Sequence, residues 1–83
     1  MKNLKKFGEA LREIRISKEL EYKDMLELGV TQSAIKSVEH GMNWQVETMV
    51  KYLDALNIAI LSVNFKSGQF EYEEKVKFTP NKI

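Results

Sequence analysis

The spacing of apolar residues changes once along this chain, at Asn57, and that change limits the fold more than any other feature. Before it, apolar side chains recur every three or four residues. After it, they alternate with polar ones. A chain of 83 residues with such a switch has room for one domain, helices first and a strand pair after, around a single small core.

Upstream of the switch, Leu4, Phe7, Leu11 and Ile14 share one helical face, with Asn3 able to cap them. This predicts a helix over about 4–17. A second is expected from Tyr22 to Leu28, stopped by Gly29. A third follows the N-cap Thr31 and reaches about His40 and Gly41. The fourth has Asn43 as cap, then Val46, Met49, Val50, Leu53 and Leu56. Asn57 closes it, since Asn tolerates the left-handed conformation that helix ends favour. Downstream, Leu61, Val63 and Phe65 alternate with Ser62, Asn64 and Lys66. Ser67-Gly68 is a two-residue turn signal, and Phe70 and Tyr72 resume the alternation. Glu73-Glu74 breaks it, so a bulge or strand end is expected there. The tail from Thr79, with the only Pro at 80, is expected to fray.

Several function classes are disfavoured. There is no Cys and a single His, His40, so a metal site would need carboxylates to complete it. No nucleophile–base pairing or Gly-rich phosphate loop is visible, so neither an enzyme nor a cofactor is expected. The start, "MKNLKKFGEALREIR", is basic but lacks the apolar core of a signal peptide, and no apolar run approaches the roughly 18 residues of a membrane span. The expectation is a cytoplasmic protein with no membrane partner. Net charge is +1, but residues 1–20 carry net +3 and 21–44 net −2. A basic end suits phosphates, and equally suits a solvated helix face.

The stretch 29–41, "GVTQSAIKSVEHG", is the most informative. Val30, Ala34, Ile35 and Val38 take the inner side of its helix, which leaves Gln32, Ser33, Lys36 and Ser37 outside. Two short helices joined by a Gly-containing turn form the helix-turn-helix pattern. The second helix of such a pair offers its polar edge to the major groove. There Gln can bond adenine at two atoms, Ser can bond several base edges, and Lys can reach guanine or a phosphate.

"FGEALREIR", "LELGVTQSAIKSVEHG" and "VETMVKYLDALNI" resemble, in order and spacing, the Xre/Cro family of phage and bacterial repressors, over about residues 4–58. The resemblance implies a mainly α, lambda-repressor-like helix-turn-helix domain over 1–58, here followed by a β-hairpin extension over 59–78 and a tail, 79–83. It implies that Gln32, Ser33, Lys36 and Ser37 face bases or nearby phosphates. Phosphate contacts are expected from Tyr22 and from the loop His40 to Trp44, which includes Asn43, with Thr31 and Lys6 as further candidates. His40 can equally be a plain helix-end residue. Arg15 and Glu39 match residues that pair between the first and third helices in this family. Four features depart from the pattern: a short second helix, Tyr22 where Gln is usual, Glu19 where Gly commonly ends the first helix, and a hairpin in place of a fifth helix.

The function implied is a sequence-specific regulator that binds double-stranded DNA, a repressor acting as a homodimer on a near-palindromic operator. An antitoxin subunit with a toxin partner, or an interaction module that has lost DNA binding, are the alternatives. Leu61, Val63, Phe65, Phe70 and Tyr72 can form one apolar hairpin face. That face either meets its two-fold mate as a dimer interface or lies on the first and fourth helices of its own chain.

Overall fold

A computed structural model describes residues 2–42, 45–64 and 66–75. It is mainly helical, with a C-terminal antiparallel hairpin: α1 (Lys2–Ser17), α2 (Tyr22–Glu27), α3 (Gln32–Glu39), α4 (Val46–Leu56), β1 (Ile58–Asn64) and β2 (Gln69–Glu74). None of these helices is long and apolar enough to cross a membrane.

The core draws on every helix. Phe7 and Leu11 of α1, Met25 of α2, Val30 of the turn, Ile35 and Val38 of α3, Tyr52 and Leu56 of α4, and Ile58 at the start of β1 are all buried. Gly8 lets α1 and α3 approach closely. A Cβ there would lie 2.4 Å from the Val38 carbonyl oxygen and 2.7 Å from that of Glu39, so no other residue fits without moving backbone.

Each helix end has a local cause. α1 stops because Glu19 turns left-handed (φ 60°). Its N–H then bonds to the Ile16 carbonyl (2.9 Å) and that of Leu20 to the Arg15 carbonyl (3.1 Å), the paired bonds of a Schellman cap. Asp24 accepts from the Glu21 N–H (2.8 Å) at the start of α2, and the Thr31 hydroxyl accepts from the Ala34 N–H (3.1 Å) at the start of α3. Asn57, left-handed at φ 61°, closes α4.

Four expectations are corrected. The first helix already includes Lys2 and Asn3, so Asn3 is not its cap. Gln45, not Asn43, caps α4. It is extended and its carbonyl accepts from the Met49 N–H (3.0 Å); Asn43 itself, with Trp44, lies outside the described residues. Val46 and Val50 are exposed, while Tyr52, absent from the expected stripe, is fully buried. The hairpin begins at Ile58, one residue early, and carries an unexpected bulge between Ile60 and Ser62, while β2 ends at Glu74, the strand end that Glu73-Glu74 implies.

That bulge resets the faces. Ile58, Ile60 and Val63 oppose Glu74, Tyr72 and Phe70 across the ladder, and Leu61 is the extra, unpaired residue. The connection is also longer than two residues. The Asn64 side chain accepts from the Lys66 N–H (2.9 Å) and the Ser67 N–H (3.3 Å), and the Asn64 carbonyl from the Gly68 N–H (2.8 Å). Val63 and Phe70 pack against the helical core, with the Phe70 ring 4.6 Å from that of Phe7. So these two cover their own chain. Leu61 and Tyr72 stay exposed, and Phe65 lies outside the described residues.

Candidate nucleic-acid interface

Burial of Ile35, Val38 and Glu39 fixes which side of α3 faces out. Gln32, Ser33 and Lys36 are exposed and Ser37 is half-buried. With Met42 these four line one concave surface of about 420 Å³. The structure therefore brings together all four side chains singled out as base readers. Thr31 stands exposed just before them. Its hydroxyl oxygen is used by the cap, but its O–H hydrogen can still be donated outward.

At the other end of α3, His40 is exposed and Gly41 turns left-handed (φ 65°) against the first turn of α1. A Cβ on Gly41 would fall 2.5 Å from the Lys5 nitrogen. This close approach sets the basic amino-terminal turn, with Lys5 and Lys6 exposed, beside His40 and the C-terminal end of α3. The exposed charges of Lys5 and Lys6 are thus held next to the C-terminal end of the polar edge.

Behind the edge lies a buried polar network. Arg15 Nε donates to Glu39 Oε2 (2.6 Å), Nη2 to Oε1 (3.2 Å) and Nη1 to the Leu20 carbonyl (2.7 Å). The Tyr52 hydroxyl donates to Glu39 Oε2 (2.5 Å). Arg15 and Glu39 are 6% and 4% exposed, so the pair is a structural tie between α1, α3 and α4 and meets no ligand. Burial opposes the charge on Arg15, but the hydrogen bond and charge of Glu39 outweigh it and hold the guanidinium above its ordinary pKa. Burial, reinforced by the Glu39 carboxylate, pushes the Tyr52 phenol well above its own.

Tyr22, expected to meet a phosphate, is half-buried at the start of α2, and the Arg15 guanidinium lies 5.1 Å from its ring centre. Its ring therefore belongs to the network. Sequence reasoning missed Tyr52 altogether. The available signal was the need of a buried Arg–Glu pair for a further donor, since a carboxylate has more acceptor sites than one guanidinium fills. Among the described residues, no group of three His, Asp or Glu side chains is placed to hold a metal ion.

No family model matches this chain, and no curated protein or solved structure is significantly similar to it.

Proposed function

We propose that this chain is a double-stranded-DNA-binding transcriptional regulator of the helix-turn-helix type, with α2 and α3 as the paired helices and α3 as the reader. The observation that carries the reading is the outward edge of α3. Gln32, Ser33, Lys36 and Ser37 sit together there on a helix whose opposite side is locked by apolar packing and by Glu39. Such an edge offers donors and acceptors at fixed positions, which base readout requires. The adjacent Lys5, Lys6 and His40 supply the sequence-independent attraction to phosphates. Regulators of this shape act as two-fold dimers on near-palindromic sites, and the exposed Leu61 and Tyr72 are the apolar residues we assign to that contact.

Selection of bound sequences from a random duplex pool tests the reading. A recovered site is expected to lose about 1–3 kcal/mol of binding on Gln32→Ala, with relaxed preference at one base pair. Lys6→Ala is expected to weaken all duplexes alike and to lower the salt slope by about 1. Affinity and site preference both unchanged in Gln32→Ala would remove α3 as the reader.

A further inference from the structure

Three helices in this protein, α1, α2 and α3, end in the same left-handed cap, and α3 differs from the other two in one respect. At the end of α3 the Gly41 N–H bonds to the Val38 carbonyl (3.2 Å) and the Met42 N–H to the Ser37 carbonyl (2.9 Å). These are the bonds that Glu19 and Leu20 make at the end of α1. In such caps the residue after the left-handed one is commonly apolar and packs back on the last turn. Leu20 does this and lies against the core. Met42 does not: it is 58% exposed. The residues of α3 on its side, Ser37 and Lys36, are polar. The cap fixes the backbone of Met42, so an apolar side chain is held at one end of an otherwise polar concavity made by Gln32, Ser33, Lys36 and Ser37.

We propose that Met42 is a specificity residue that packs on the C5-methyl group of a thymine at the end of the segment read by α3. The inference rests on α3 being the element that enters the major groove. In that groove the thymine methyl is the apolar group that distinguishes one base edge from the others. Hydrogen bonds and charge along the α3 edge select polar base atoms, and Met42 is the feature of the same concavity that can reward a methyl. A flexible, polarizable thioether adapts to the methyl without demanding one exact approach.

The test uses a duplex recovered from the random pool and the whole chain. Each thymine is replaced in turn by deoxyuridine, which deletes the methyl and keeps every hydrogen-bonding atom. One thymine in each half-site is expected to lose about fourfold in affinity, the worth of one buried methyl group. In Met42→Ala the same replacement is expected to change affinity by less than about 1.5-fold, because the partner surface is gone, and Met42→Leu is expected to restore the loss. Met42 is exposed, so thermal melting of both variants should match the parent. A half-site with no methyl-sensitive thymine, or one whose sensitivity persists unchanged in Met42→Ala, overturns the inference while leaving DNA binding intact. A pool from which no duplex is enriched overturns the DNA reading, and this inference with it.

Discussion

Glu39 takes three hydrogen bonds on two oxygens, from Arg15 twice and from Tyr52 once, and each donor guards a different consequence. Removing the Arg15 side chain would strip a buried carboxylate of two hydrogen bonds and its nearer cation, leaving only Arg12 at 4.0 Å, and breaking such a pair typically costs about 3–5 kcal/mol. Arg15→Ala should therefore abolish the proposed DNA binding by unfolding, and a urea melt would expose that cause. Tyr52→Phe is milder. It deletes one hydrogen bond to a charged group, and about 1.5–3 kcal/mol of stability should go with it. The same phenol sets a pH dependence. Its pKa is raised in the folded state from the ordinary 10.0, so its contribution is complete below pH 10 and declines as pH rises further, because only the unfolded chain then releases the proton. Urea melts from pH 8 to above 10 should show the parent losing its advantage over Tyr52→Phe only above 10. Glu19 offers the opposite kind of change. It is left-handed at φ 60°, where a Cβ costs energy that glycine avoids. Glu19→Gly should raise stability by up to about 1 kcal/mol, and an unchanged or lower melting midpoint would show that the Glu19 side chain has a role of its own.

The elements were legible to different depths, and particular residues explain the difference. α3 was readable because Thr31 caps it, Ala34, Ile35 and Val38 mark its inner side and Gly41 stops it, all local signals. The start of α4 was not, since Gln45 caps it with no side-chain hydrogen bond, so Asn43 was the better candidate on chemistry alone. Tyr52 was hidden because its burial depends on Glu39, thirteen residues away. The hairpin was recognisable from its alternation, but its faces were not. A single extra residue, Leu61, reverses inside and outside for everything that follows. The polar edge of α3 was visible as a set of residue types, whereas its neighbour Met42 gains meaning only from the cap geometry. A prediction belongs to this scale. Phe70→Ala should cost about 2–4 kcal/mol because Phe70 joins β2 to α1 through Phe7. Leu61→Ser should fall within about 0.5 kcal/mol, since Leu61 is 61% exposed. Equal losses in chemical denaturation would mean that Leu61, too, faces the core.

For the whole molecule the open matter is what the hairpin does beyond closing the core. Truncation cannot answer it. A chain cut after Leu61 would lose Val63 and Phe70, which pack on the core, along with the Lys18–Glu74 and Lys75–Asp54 ion pairs that tie the hairpin to α1 and α4. Loss of the dimer would then be indistinguishable from loss of the fold. A surface charge separates the two. Leu61 is exposed and unpaired in the ladder, so Leu61→Asp should leave the melting temperature nearly unchanged. If Leu61 sits at a two-fold contact, the substitution buries two like charges against each other, and association should fail. The parent should then be dimeric by light scattering at about 100 μM, where mass action favours any specific contact. Leu61→Asp should be monomeric at the same concentration. On DNA the parent should hold two half-sites about 34 Å apart as one unit, while Leu61→Asp should bind the full site no more tightly than a single half-site, because the gain from joining two readers is gone. A parent that stays monomeric and selects an asymmetric site would assign the hairpin to its own core alone. The two-fold model would then be abandoned, with the reading by α3 left standing.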